Sequence, residues 1–365
     1  MNIAIMGVIT KPISQNTFGG TEKFTYLLVK GLVERGHNIT LYCAKGSKTD
    51  AQKHVYIVEP EIAMSENSNV QFVYPYTLAQ IRRLINDTKK ISYDLIHINA
   101  IKSFMMSFFS AEFNLPLIHT IHRDYLIHQQ FVNMYKALGI SKNEYFVFVS
   151  KNACKKNKLP NTIKTSFIHN GIDPTEYPFN EKPSLASYLW LSRIDELKGP
   201  DVAIKAAKAA NVGVILSGDI DREKYQNFFN NKIKPYLDEK RIFENAKNLK
   251  RKVFLYQNSK AFLFPIQWEE PFGLVVVESL SSGTPVIAFD RGAMKEIVQH
   301  KRTGYLVKPN EGVNGIVKGI RFIESLPKEK YFEMRKNCRL SILNNFTYKI
   351  MAQKYEQFYS KIINQ

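Results

Sequence analysis

The chain has 365 residues, of which 44% are apolar and 23% charged, with a formal net charge of +18 at pH 7. That length suits two domains of ordinary size, and the apolar share supports sizeable cores, which excludes a disordered or fibrous chain. The positive balance leaves three kinds of partner open: nucleic acid, an anionic membrane surface, or acidic substrates.

The segment NIAIMGVI opens the chain as a strand, because it lacks the basic flank and the length of a signal peptide. TKPISQNTFGGTE is a loop with Gly19 and Gly20 adjacent. EKFTYLLVKGLVERGH then has helical periodicity, and NITLYCA is the next strand, so the opening reads as a βαβ unit. On its own the Gly-Gly pair is a plain turn, and it lacks the G-x-G-x-x-G pattern of a dinucleotide fingerprint.

YDLIHIN and PLIHTIH are short buried strands that end in polar residues, where open α/β sheets bind ligands. They carry His97, His119 and His122 toward that edge. A single strand histidine is more often a hydrogen-bonded structural residue than a catalytic one. SFMMSFFSAEF is apolar but short and carries Glu112, so it is expected as a buried helix. No apolar run reaches about 18 residues, so no transmembrane helix is expected.

EYFVFVS is a strand, and SKNACKKNKL a basic helix whose Lys151, Lys155, Lys156 and Lys158 form a solvated face or a membrane-surface contact. The three cysteines, Cys43, Cys154 and Cys338, are widely spaced and lack a C-x-x-C pair. They point to a reducing compartment, without a disulfide framework or a zinc site. The proline-rich stretch around residues 179–184 marks a domain boundary. Beyond it, SYLWLSRIDELKGPDVAIKAAKAANVGVILSGD is a second βαβ unit. Its first loop holds Arg193 and Lys198 ahead of a helix expected near Pro200, and two cations there suit a diphosphate. Surface pairing with Asp195 and Glu196 is the plainer alternative. Asp219 and Asp221 form a literal Asp-x-Asp pair that reads as a strand-end turn rather than a metal site.

AFLFPIQWEEPFGLVVVESLSSGTPVIAF (261–289) reads as strand, loop, helix, strand. Pro271 suits the first turn of the helix and Gly283 its C-terminal cap. The N–H groups of Phe272, Gly273, Leu274 and Val275 then line an anion-binding helix N-terminus. Glu270 sits at its lip. Glu278, eight residues on in the sequence, sits on an apolar helix where a carboxylate needs a partner, either within the protein or on a polyol ligand.

EEPFGLVVVESLSSGTPVIAF resembles the E-x7-E signature of the retaining, nucleotide-sugar-dependent group 1 glycosyltransferases. The resemblance extends along nearly the whole chain, through FGGTE, the Thr-x-His ending at His122, Asn-Gly-x-Asp at 170–173, Ser-Arg and Lys-Gly at 192–193 and 198–199, and Thr-Gly-x-Leu-Val at 303–307. It implies an α/β GT-B fold, with two Rossmann-like domains facing across a cleft and a C-terminal helix crossing back to the first. The corresponding domains are 1–180 for the acceptor, 181–345 for the nucleotide sugar, and 346–365 for the returning helix. It further implies His122 and Glu270 as catalytic residues. Gly19, Gly20, Arg193, Lys198, Phe272, Gly273, Leu274, Val275 and Glu278 would bind the donor. Neither metal nor cofactor is expected. Partners would be a nucleotide sugar and a saccharide or lipid-linked acceptor, at a cytoplasmic location or on the inner membrane face, with no nucleic acid. Phe243, Glu244 and Asn245 replace the family's usual glycine near the base, which leaves the base open. A sugar-nucleotide epimerase on the same fold, or a non-enzymatic nucleotide- or nucleic-acid-binding protein, is the alternative.

Overall fold

The computed structural model describes residues 1–17, 19–59, 70–100, 103–123, 128–139, 141–220, 223–245 and 248–364. Phe18 and Asp221 of the stretches above lie outside these. Contacts divide the chain into two compact units, Met1–Gly171 with Tyr348–Gln365, and Ile172–Thr347.

Among the described residues, the first unit holds a parallel sheet ordered β3-β2-β1-β4-β5-β6-β7. Its strands are β1 (Asn2–Met6), β2 (Asn38–Ala44), β3 (Lys53–Val58), β4 (Leu95–Ile98), β5 (Leu117–Ile121), β6 (Glu144–Phe148) and β7 (Lys164–Phe167). Helices flank it, α1 (Gly20–Glu34), α2 (Val70–Thr88), α3 (Gln129–Leu138) and α4 (Lys151–Lys156) among them. Strands β1, β4 and β5 are apolar runs because both sheet faces are covered. The segment Ser103–Glu112 is a 3-10 helix rather than the fully buried helix expected, since Phe108 is exposed while Met106 and Ser110 are buried.

The C-terminal helix, Tyr348–Ile363, packs on α1 and completes this unit. Met351, Ala352, Tyr355 and Tyr359 join Phe24, Leu27 and Leu28 in one core. The Tyr359 hydroxyl meets His97 Nδ1, and the Tyr355 and Thr120 hydroxyls lie 2.8 Å apart. Glu356 accepts from Arg35 and lies 2.9 Å from His37 Nε2. His97 and His119 therefore do not project from strand ends. Both are wholly buried, His97 between Tyr359 and Thr120, and His119 stacked on Phe146 with Glu144 3.1 Å away.

The second unit repeats the pattern with a parallel sheet ordered β10-β9-β8-β11-β12-β13. Its strands are β8 (Tyr188–Leu191), β9 (Val214–Ser217), β10 (Arg241–Glu244), β11 (Phe262–Phe264), β12 (Val286–Phe289) and β13 (Gly304–Val307). The helices are α5 (Pro200–Ala209), α6 (Glu223–Lys232), α7 (Leu249–Asn258), α8 (Leu274–Ser281), α9 (Met294–Ile297), α10 (Gly312–Glu324) and α11 (Lys328–Asn345). Each sheet reverses its strand order once, between β1 and β4 and between β8 and β11. In doubly wound sheets the ligand crevice opens at the carboxyl ends of the strands at that point.

Two arginines of α11 secure the entry to the second unit. Arg335 is fully buried and donates to the carbonyls of Asn180 at 2.7 Å, Gln257 at 2.8 Å and Ser259 at 3.3 Å. Arg339 donates to the carbonyls of Pro174, Tyr177 and Ser281. Among the described residues no carboxylate pairs with Arg335, so neutral groups offset its desolvation, these carbonyls together with the hydroxyls of Thr284 and Tyr331 at 3.3 Å each. Arg335→Met keeps most of the volume but leaves these carbonyls without donors, and should cost roughly 3 kcal/mol or more. Urea unfolding of the full chain measures it, and an unchanged midpoint would refute the role.

Candidate active site

At the second switch point the loops after β8 and β11 are bound together. The loop after β8 makes a short 3-10 turn, Glu196–Lys198, capped by the Asp195 carboxylate, which accepts from Leu197 N–H at 3.0 Å. Gln267 N–H donates to Leu197 O at 2.8 Å, and the Trp190 indole N–H donates to Lys198 O at 3.1 Å. Gly199 follows with φ +67°, and a side chain there would collide with the Pro265 carbonyl. Only glycine fits both the left-handed backbone and that close approach.

This geometry places Lys198 Nζ 2.7 Å from Glu270 Oε2, a pair whose side chains are each 14% exposed. The Trp268 indole N–H donates to the same carboxylate oxygen at 3.1 Å, and Lys198 Nζ lies 4.9 Å from the centre of its ring. The loop after β12 grips this one from beyond. Ala293 N–H donates to Glu270 O and Gly292 N–H to the Glu269 carboxylate, each at 2.9 Å. Gly292 has φ +60° and lies against the Glu270 backbone, where no side chain would fit.

Arg193 shares the β8 loop with Lys198, but it is exposed and donates to the Tyr225 hydroxyl at 3.3 Å. Among the described residues neither cation pairs with Asp195 or Glu196, so the plainer surface-pairing alternative is not seen.

Helix α8 begins at Leu274, later than the sequence suggested. Gly273 is its N-cap at φ +97°, a backbone that ends helix propagation toward Pro271 and Phe272. Pro271 thus precedes the helix instead of occupying its first turn, and the Phe272 N–H lies ahead of the cap. The N–H groups of Val276 and Val277 bond back to Gly273 O. Among the described residues no backbone acceptor meets the N–H groups of Gly273, Leu274 and Val275, which leaves the first-turn donors for an anion. Gly283, at φ +86°, closes the helix by donating to Leu280 O at 3.0 Å.

The buried Glu278 finds its partners inside the protein. Tyr177 donates to Oε1 at 2.9 Å and Tyr256 to Oε2 at 3.1 Å, while Lys252 Nζ lies 2.7 Å from Oε2. Burial and the carboxylate push both phenols far above the usual tyrosine range, so they stay protonated and donate. Sequence reasoning missed all three partners. Their signal is weak, since Lys252 and Tyr256 stand four apart on one face of α7 and nothing local ties them to Glu278.

In the first unit Gly19 caps α1 and Gly20 is its first residue. The Glu22 carboxylate folds back over Gly19 and would have to move aside for a side chain there. His122 follows β5. Its Nε2 meets Asn99 Oδ1 from the end of β4, and the ring stands edge-on to Phe24 of α1 at 4.6 Å. Burial, then the charge of Arg123, lowers its pKa to about 3, so it is neutral at pH 7. With Nε2–H given to Asn99, Nδ1 is left as an acceptor. Asn99 and Phe24 were not expected from the sequence. Glycine turn, asparagine and histidine sit at the carboxyl ends of β1, β4 and β5, around the first switch point.

Among the described residues no three His, Cys, Asp or Glu side chains group as metal ligands, and no helix is long and apolar enough to cross a membrane. Asp219 follows β9, and its presumed companion Asp221 lies outside the described residues.

Two doubly wound units, with cations, a carboxylate and an open helix N-terminus at the second switch point, have the make-up of the GT-B fold. The model of glycosyl transferases group 1 matches residues 174–341, and that of Glycosyltransferase Family 4 matches residues 18–176. The chain belongs to the group 1 glycosyltransferases. It is similar to spore coat protein SA of Bacillus subtilis, with 21% identity over 99% of this chain and 100% of that protein. Sucrose-phosphate synthase from Thermosynechococcus elongatus superposes with a TM-score of 0.80 at 18% identity, covering 100% of this chain and 99% of that one. HepE of Anabaena, solved with UDP and glucose, superposes at 0.73 with 17% identity, covering 99% of this chain and 100% of that one.

Burial lowers the pKa of His97, as of His122, to about 3, whereas an unfolded histidine titrates near 6.5. Between these values the unfolded chain binds more protons than the folded one, so stability is full above about pH 6.5 and falls as pH drops toward 3. Urea midpoints should decline across that range, less steeply in His97→Asn. An identical pH slope in that variant would contradict the assignment.

Proposed function

We propose that this glycosyltransferase transfers a hexose, with retention and without a metal, from a nucleotide-diphospho-sugar to a glycan, glycolipid or other cell-envelope acceptor. The observation that carries the reading is the Lys198–Glu270 pair at the β8/β11 switch point, beside the open N-terminus of α8. The complex of HepE with UDP-glucose supports a nucleotide sugar as donor.

The second unit takes the donor. Arg193, Lys198 and the N–H groups of Gly273, Leu274 and Val275 stabilise the diphosphate as charge develops on it. Phe272 ahead of the cap shapes the same turn. Glu270 accepts from the donor sugar's hydroxyls. Glu278 has three of its roughly four acceptor sites occupied, leaving one on Oε1 for a ribose hydroxyl. The first unit takes the acceptor, with the turn at Gly19 and Gly20 and the neutral His122 orienting groups through hydrogen bonds. The donor's glycosidic C–O bond breaks as the acceptor oxygen bonds to the same carbon and face. The acceptor's proton passes to the leaving phosphate oxygen, so no protein nucleophile is required.

A panel of nucleoside diphosphates and their sugars, read by thermal shift, tests the donor class, since a ligand of the native state raises apparent stability. Arg193→Ala and Lys198→Ala should each weaken donor binding by about 1.5–3 kcal/mol, the range for a hydrogen bond to a charged group. Wild-type protein should keep its turnover in EDTA. Unchanged donor affinity in both variants, or activity lost in EDTA and restored by Mn²⁺, would overturn the assignment.

The exposed Lys151, Lys155, Lys156 and Lys158 on and after α4 offer a peripheral contact with an anionic membrane at the cytoplasmic face. Lysines near such a surface contribute about 1 kcal/mol each. The protein should sediment with anionic liposomes at low salt and be released at high salt. A variant with all four lysines changed to Glu that sediments equally well would show the cluster to be only a solvated face.

A further inference from the structure

We propose that Trp268 is a positioning residue of the donor site, holding Lys198 and Glu270 as a mutually neutralised pair that the arriving donor separates. The inference rests on the donor-site reading and adds a residue and a state to it.

The indole touches both charges. Its N–H occupies Glu270 Oε2 at 3.1 Å, the oxygen that Lys198 Nζ also reaches at 2.7 Å, while the ammonium lies 4.9 Å from the ring centre. Ring face and N–H thus serve opposite charges from one rigid group, itself only partly exposed. Without ligand, ammonium and carboxylate satisfy each other, and neither remains as an unpaired, partly desolvated charge. A bound diphosphate supplies a competing anion for Lys198, and the sugar hydroxyls supply donors for Glu270. Through that exchange the indole N–H stays on Oε2, so the carboxylate keeps one fixed donor and its orientation. The ring face keeps Lys198 in place for the phosphates, because a cation over an indole is held by the ring quadrupole. Lys198 is further located through its carbonyl, which accepts from Trp190, so only the ammonium end has to move.

Two substitutions separate the two contacts. Trp268→Phe keeps an aromatic face and loses the N–H, which serves Glu270 and hence the sugar. Nucleotide-sugar affinity should fall about tenfold, the usual scale for a hydrogen bond to a charged acceptor. Affinity for the matching free nucleoside diphosphate, which lacks the sugar, should be nearly unchanged. Trp268→Leu loses both contacts and should weaken both ligands. A residue that merely packs would weaken both equally in Trp268→Phe, or neither, and either outcome overturns the proposal.

A ligand-free measurement keeps the test independent of donor identity. The chain has two tryptophans, so the emission of Trp268 is the difference between the parent and Trp268→Phe. Lys198→Met and Glu270→Gln should each alter that difference spectrum. If neither does, the three-sided contact is absent and the proposal fails, even where the nucleotide panel succeeds. If the panel finds no ligand while the spectrum responds, the donor-site reading has failed and the exchange falls with it.

Discussion

The contact on which the proposed donor site depends is the ion pair across the second switch point, Lys198 to Glu270. The two residues are distant in sequence and come from loops after different strands. They meet because β8 and β11 are neighbours in the sheet and because two contacts tie the loops, Gln267 N–H to Leu197 O and Gly199 against the Pro265 carbonyl, while the Trp190 indole of β8 holds the Lys198 carbonyl. Each charge is largely withdrawn from water and so needs a partner. An ion pair of that kind adds little to stability. In the proposed donor site its use is to keep both groups aimed at one place before the donor arrives.

The same pair shows what the sequence made legible. The family resemblance is what makes Arg193, Lys198, Glu270 and the helix following Glu270 donor-site candidates, and they stand out in local patterns: cations at a strand end, a carboxylate before a helix and small residues at its close. The doubly wound class was readable for the same reason, since short apolar runs alternating with helical periods leave few topologies. The returning C-terminal helix was named through the family resemblance, and the packing of Tyr355 and Tyr359 against the first unit's sheet and α1 gives it a physical basis.

What was not legible depends on contacts distant in sequence. Glu278 was known to need a partner, yet Tyr177, Lys252 and Tyr256 come from two separate segments and carry no local mark of that task. His97, His119 and His122 look alike in sequence. Their fates diverge because alternation along a strand sends side chains to opposite faces. His97 and His119 are enclosed by the layers over β4 and β5, while His122 lies one residue beyond β5, beside Asn99. The helix start was misplaced because Pro271 is a good first-turn residue, whereas the backbone of Gly273 decides the boundary. Glycine takes the left-handed conformation at little cost, and a single such residue outweighs a favourable proline two positions earlier.

A division of labour inside the second unit follows. Its two carboxylates of the E-x7-E pattern are chemically equivalent in sequence but differ in surroundings. Glu270 is held by one lysine and one indole N–H, both on a single oxygen, so its other oxygen has none of these donors. Glu278 is held on both oxygens by groups that also join α7 and the 174–180 segment to α8, while Arg335 and Arg339 fasten that segment to α11. Moving Glu278 would therefore disturb packing on three sides, whereas moving Glu270 disturbs only a lysine and a loop. The more loosely held carboxylate is the one able to change partners during a catalytic cycle, and the firmly held one can only present a fixed edge. Within the proposed donor site, the exchange of partners therefore falls to Glu270, while Glu278 offers a ligand only the fixed remaining acceptor site on Oε1.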